Sequence, residues 1–206
     1  GDETEINGQG PVITEEAINE LFAKLATLTK EDILVLAGSI PNTLPEDIYE
    51  KILARLESKG IRVVVDATKD LLLNVLKYHP FLIKPNNHEL GEMFGTVCKT
   101  DEDIVHYAKK LQEKGAVNVL ISMAGDGAIL ITEDGQNIKM GTPKGKVVNS
   151  VGAGDSMVAG FITGYIRGGN YEEALKSGTA AGSATAFSEG LASLEMYEKM
   201  LKQITE

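Results

Sequence analysis

Val148-Asn149-Ser150-Val151-Gly152-Ala153-Gly154-Asp155-Ser156-Met157-Val158-Ala159-Gly160-Phe161 is the stretch on which the fold turns. The β-branched pair Val147 and Val148 leads into a Gly-Ala-Gly turn. A small-residue helical pattern then opens with Asp155 among its first positions. A helix N-terminus presents backbone N–H groups that lack intrahelical partners, together with a partial positive charge. Without large side chains at 152–154, a phosphate could approach those amides closely. An acidic residue at the mouth of such a site does not help to hold a phosphate. It fits a site where a hydroxyl must lose its proton while attacking that phosphate. Alone, the stretch reads equally well as an N-capping Asp behind a glycine turn, and both readings stand at this point.

Outward from this stretch, strands and helices alternate. Thr14 is placed to cap a helix with Ile18, Leu21, Phe22 and Leu25 on one face. An apolar run over 33–37 ends in Gly38-Ser39. Pro45 is expected to start a second helix that Gly60 stops. Further strands are predicted over 61–65, ending in Asp66, over 81–83, ending in Lys84-Pro85-Asn86, and over 117–121, ending in Ser122. A helix is predicted through 71–77. Thr100 and Asp103 form a capping-box pattern before another. Residues 128–132 and 136–140 flank Glu133-Asp134-Gly135 as a hairpin, and only helices are expected after Asp155. Asn170 with Glu173 caps an alanine-rich helix, and the last runs from about 193 to 204.

Apolar strands alternating with helices imply an α/β fold, a mostly parallel sheet with helices on both faces. Ligands of such sheets bind beyond the carboxyl ends of the strands. Gly38-Ser39, Asp66, Lys84-Pro85-Asn86 and residues 122–127 all fall there, which argues for one shared site. Asp66 is also a common structural feature at a strand end and receives little weight for direct chemistry. No strong linker interrupts the chain, so residues 1–206 are read as one domain.

The 206 residues are 43% hydrophobic and 24% charged, as in a globular protein with a real core. A net charge of −10 argues against nucleic acid or an anionic membrane as partner. No stretch approaches a membrane span. The single cysteine, Cys98, excludes an intrachain disulfide and suggests a reducing, cytoplasmic setting. His79, His88 and His106 show no metal-ligand spacing. There is no Walker-type Gly-Lys-Ser/Thr, and Gly152-Ala153-Gly154 lacks the third glycine of the dinucleotide fingerprint.

Four segments together resemble the PfkB (ribokinase-like) carbohydrate kinases. They are residues 148–161, the run Lys84-Pro85-Asn86-Asn87-His88-Glu89, the loop Ser122-Met123-Ala124-Gly125-Asp126-Gly127-Ala128, and Ala37-Gly38-Ser39-Ile40-Pro41. The resemblance implies a ribokinase-like fold with Asp155 as catalytic base and the amides of Gly152, Ala153, Gly154 and Asp155 as anion hole. It implies ATP contacts from Lys84, Asn86, Ser122, Gly125, Gly127, Asn149, Gly152, Gly154 and Ser183. Asn86 and Glu89 would serve Mg²⁺ through water, and Ser39 with Asp155 would face the phosphosugar. Each segment has a plainer reading as well. Asn86 with Glu89 could be a capped helix behind a Pro-containing strand exit. Residues 122–127 could be a β-turn, and Ser39 part of a Ser-Pro turn. Residues 178–183, on a small-residue helix, suit close helix packing as well as passage beside an adenine. Ala124 departs from the pattern, in which many members carry Gly.

Within the family the likeness is to hexose-phosphate kinases. It implies ATP-dependent conversion of fructose 1-phosphate to fructose 1,6-bisphosphate, with tagatose 6-phosphate as the alternative acceptor. A nucleoside kinase of the same fold and a non-catalytic ATP-binding module are the other readings. A homodimer is a possible state of the full-length protein. Family members carry an additional N-terminal portion with the first strands, the lid and most sugar contacts. The chain is therefore expected to be truncated at its N-terminus, with residues 1–11 closing the lid and strand region. It is expected to bind ATP weakly and not to phosphorylate a sugar on its own.

Overall fold

The apolar runs become the strands of one six-stranded sheet whose spatial order follows the chain, β1 to β6. The computed structural model describes residues 11–205. The expected strand and turn before residue 11 therefore lie outside the described residues. Strands β1 (Ile33–Ala37), β2 (Arg62–Asp66), β3 (Leu82–Ile83) and β4 (Asn118–Ser122) pair in parallel. Strands β5 (Ala128–Ile131) and β6 (Asn137–Met140) return antiparallel as the expected hairpin.

Helices α2 (Ile48–Leu56), α3 (Lys69–Val75), α4 (Asn87–Met93) and α5 (Asp101–Glu113) connect the parallel strands, preceded by α1 (Glu15–Ala26). Right-handed crossovers that always step in one direction put their helices on one face of the sheet. The other face must be covered by the chain beyond β6. That is the role of α6 (Ala153–Gly168) and α7 (Tyr171–Ala186), with α8 (Leu194–Thr205) packed beyond them. The period-2 alternation of the strands divides the core accordingly. Val63, Val65, Ile83, Val119, Ile121 and Ile131 face α1–α5, whereas Val64, Leu82, Leu120 and Leu130 face α6 and α7. Each fully buried leucine contributes about 1.5–3 kcal/mol relative to exposure.

Helix α6 lies close against α7 because both are lined with small residues. A Cβ at Gly160 would stand 2.6 Å from the Ser177 carbonyl oxygen, and one at Gly164 2.5 Å from that of Glu173. Larger residues would push the helices apart and uncover the sheet beneath.

The caps form as the sequence suggests. Thr14 accepts from the Ala17 amide, Thr100 and Asp103 form a reciprocal capping box, and Asn170 accepts from the Glu173 amide. Two helix boundaries differ from expectation. Residues 45–47 form a turn, with the Ile48 amide on the Pro45 carbonyl, and α2 begins only at Ile48. Helix α3 starts at Lys69 and tightens into a 3₁₀ turn over Leu76–Tyr78, closed by His79 in a left-handed conformation (φ 52°).

Candidate nucleotide and catalytic site

Four parallel strands end at one edge of the sheet, and each delivers a polar residue there. After β1 the Gly38 amide donates to the Asp66 carbonyl (3.0 Å), and Gly38 turns at φ +83°. The Tyr49 hydroxyl fixes this turn by donating to the carbonyls of Ala37 (2.9 Å) and Gly38 (3.3 Å). Ser39 is left exposed beside it.

Strand β2 ends in Asp66 and β3 continues into Lys84, whose amide reaches the Val65 carbonyl at 3.3 Å. Their side chains meet, with Lys84 Nζ 3.2 Å from Asp66 Oδ2. The lysine side chain is 8% exposed and the carboxylate 18%. Burial pushes the Asp66 carboxyl above the usual carboxylate range. Lys84 opposes that shift, and the charges of Asp155 and Glu89 add to it.

Asn86 bridges to Ser122 at the end of β4, and its side chain caps α4. Asn86 Oδ1 accepts from the Glu89 amide and Glu89 Oε2 accepts from the Asn86 amide, both at 2.8 Å. The pair expected to serve a metal is thus also a capping box, and the plainer reading of that segment holds as well.

Beyond β4 the chain makes a 3₁₀ turn over Ala124–Asp126, closed by the Met123 amide on the Gly127 carbonyl (2.8 Å). Gly127 sits at φ +90°, and a Cβ there would collide with the Met140 carbonyl oxygen, so the position demands glycine. Ala124 holds φ +48°, a conformation glycine adopts more readily. The Thr142 hydroxyl donates to the Gly125 carbonyl at 2.8 Å and ties the turn to the chain leaving β6.

Helix α6 begins behind Gly152, which has φ +79° and makes no side-chain cap. The Ala153 amide donates to the Ser150 carbonyl at 3.1 Å. Gly154 and Asp155, the next two residues of the first turn, then carry amides without an intrahelical acceptor. Lys84 lies directly under this turn: a Cβ on Gly154 would stand 3.2 Å from its Nζ. Asp155 is exposed at the same place.

Between the two loops lies a cavity of about 360 Å³. Asn86, Ser122, Gly125, Gly127, Gly154 and Ser183 line it, all six of them residues singled out from the sequence as nucleotide contacts. Residues 178–183 serve both purposes weighed for them. A Cβ at Gly178 would approach the Met157 carbonyl to 2.9 Å, while Gly182 and Ser183 face the cavity. Asn149 is not among the lining residues. Its Nδ2 donates to the Glu189 carbonyl (3.3 Å) and its Oδ1 accepts from the Val151 amide (3.0 Å), so it holds the turn before α6. Ser39 also lies outside the cavity, on the β1 side of Asp66.

Sequence reasoning passed over the apolar wall of the cavity, made by Val147, Met157, Ala186 and Phe187, and the Thr142 tie. It did not pair Asp66 with Lys84. Among the described residues no group of three His, Cys, Asp or Glu side chains is placed to hold a metal ion directly, and no helix is long and apolar enough to cross a membrane.

This site, an open helix start beside a glycine loop at the carboxyl ends of a sheet, is of a kind that binds phosphates. The model of the pfkB family carbohydrate kinases matches residues 1–196, and the chain belongs to that family. It is 50% identical to 1-phosphofructokinase of Bacillus subtilis over 99% of this chain and 67% of that protein. It is 36% identical to D-tagatose-1-phosphate kinase of Bacillus licheniformis over 98% of this chain and 66% of that one. The crystal structure of phosphofructokinase-2 from Escherichia coli in complex with substrates and products superimposes with a TM-score of 0.88 at 26% identity. That match covers 95% of this chain and 64% of the other. The chain thus spans about two thirds of the length of these relatives.

Proposed function

We propose that residues 1–206 form one domain, the nucleotide-binding and catalytic portion of an ATP-dependent phosphosugar kinase. The observation that carries this reading is the convergence of Asn86, Ser122, Gly125, Gly127, Gly154 and Ser183 on one cavity beside an uncapped helix start bearing Asp155. In this reading the base lies against the apolar wall of Val147, Met157 and Phe187, and the phosphates run toward α6. The amides of Gly154 and Asp155, with Gly152, receive the charge that develops on the transferred phosphoryl group. Lys84 adds a positive charge beneath them. The acceptor hydroxyl attacks the γ-phosphorus as the bond to the bridging oxygen of ADP breaks, and its proton passes to Asp155. A carboxylate is a weak base, which suffices where the transition state is loose and the proton leaves late.

The residues present suit a hydrated divalent cation. The charges of Asp155 and Glu89 act on Asp66 beside Lys84, so three carboxylates stand against one ammonium. Since no three ligating side chains converge among the described residues, Mg²⁺ would be held through water by Asn86 and Glu89. When bound, such an ion neutralises phosphate charge. The chain's own groups still orient the phosphates and take the proton.

The names of the relatives favour fructose 1-phosphate as acceptor, giving fructose 1,6-bisphosphate. Tagatose 1-phosphate is the second reading, favoured by the relative that bears that name, in place of the 6-phosphate expected from sequence. A coupled assay on the longest reading frame containing this chain ranks the two. Asp155→Asn in that protein should lower turnover by roughly 10²–10⁴-fold or more and leave ATP affinity nearly intact. Phosphoryl transfer at the wild-type rate in that variant overturns the assignment of the base. A homodimer is part of the proposal, and light scattering on the same protein tests it.

A further inference from the structure

Lys84 occupies an electrostatically awkward position. Its ammonium is almost fully withdrawn from water and lies under the first turn of α6, where the helix itself contributes positive charge. A buried ammonium in such a place needs a carboxylate partner. Asp66, 3.2 Å away at the end of the neighbouring strand, supplies it. The other charged and titratable groups around the pair are Asp155 on α6, Glu89 on α4 and Tyr49 on α2. Burial raises the proton affinity of Asp66, against the pull of Lys84 and with smaller additions from the two carboxylates; burial first, and then the charge of Asp66, raise that of the Tyr49 hydroxyl.

Resting on the nucleotide reading above, we propose that Asp66 is a positioning residue that holds Lys84 in place for the nucleotide and competes with its phosphates for the ammonium. In the free protein the carboxylate holds the lysine extended beneath α6. When a triphosphate arrives, its oxygens take over that partnership, and Asp66 becomes the group left with a surplus charge. The pair therefore makes the site ready for phosphate and at the same time limits how tightly phosphate is held. A kinase benefits from that balance because ADP must leave after every transfer.

Removing the competitor should then tighten phosphate binding, although it removes an ion pair. Calorimetry on the 206-residue chain, in EDTA to isolate the lysine, compares ATP, ADP and adenosine. Asp66→Asn should tighten ATP by about tenfold, the scale of one charge interaction at partly buried sites. It should tighten ADP less and leave adenosine unchanged. The same variant should melt at a lower temperature without ligand, and ATP should raise its melting temperature by more than it does in the wild type. Asp66→Ser, which adds no amide donor beside the lysine, serves as the parallel variant. In a Lys84→Met background the Asp66→Asn effect on ATP should shrink to less than about threefold.

ATP affinity unchanged or weakened in both Asp66 variants overturns the proposal, as does an equal change for adenosine. Persistence of the full effect without Lys84 overturns the lysine's part in it. A wild-type chain that binds ATP no better than adenosine overturns the nucleotide reading itself, and this inference with it.

Discussion

The β4–β5 pair, inside the sheet, and the edge strand β1 are built differently. Strands β4 and β5 are buried almost throughout, under α5 on one face and α6 with α7 on the other. By contrast β1 buries only Leu36, and Val35 is 41% exposed. Both regions finish in a glycine turn that carries a serine toward the same edge. At the β4 end that turn is locked by Gly127, tied down by Thr142, and faces a walled cavity. At the β1 end the turn is held by Tyr49, and Ser39 does not line that cavity. The proposed nucleotide side is therefore a walled cavity among the described residues.

The sharpest way to break this contrast is at Gly127. Gly127→Ala combines a left-handed backbone with a collision against the Met140 carbonyl. It should cost about 3 kcal/mol or more in urea denaturation. A loss below about 1 kcal/mol would show that the loop adapts, and that its shape is not locked. Next in size is a paired truncation. Leu130→Ala, at a fully buried position of β5, should cost about 2–5 kcal/mol. Val35→Ala on β1 should cost less than about 1 kcal/mol. Equal losses would remove the distinction between the two regions.

Much of this contrast was legible in the chain. The strands show as apolar runs, and the caps at Thr14, Thr100 and Asn170 lie within four residues of the groups they bind, so local spacing reveals them. Asn86, Ser122 and Gly154 were legible because each sits at a strand end or helix start, where the topology of a parallel sheet concentrates ligands, whereas Ser183 lies near the end of α7. The Asp66–Lys84 pair was not, because its members stand on different strands and meet only once the sheet forms. The apolar wall escaped for the same reason. Val147, Met157 and Phe187 come from three segments, and in sequence each reads as ordinary core. Asn149, beside the Gly-Ala-Gly-Asp run, was read as a nucleotide contact; in the structure its amide bonds backbone groups of the turn and of Glu189.

Smaller effects sharpen the account of the loop. Thr142→Val removes the hydroxyl tie to Gly125 and should cost about 1 kcal/mol, with ATP bound a few-fold more weakly. Unchanged stability and affinity would mean that the tie does not shape the loop. Ala124→Gly should be the mildest change. Relief of the left-handed strain at φ +48° offsets the added backbone freedom of glycine, so stability should stay within about 1 kcal/mol of wild type. A larger loss in thermal denaturation would point to a contact of the Ala124 methyl group.

The central claim is that phosphate is received by the start of α6 and the β4–β5 loop. Hydrogen exchange of the 206-residue chain with and without ATP tests it most directly. The account predicts that ATP slows exchange at Gly154, Asp155 and residues 125–127, that Gly38 and Ser39 are unaffected, and that NADH gives no such footprint. Protection confined to the β1 end, equal protection by NADH, or no protection at the first turn of α6 would contradict it.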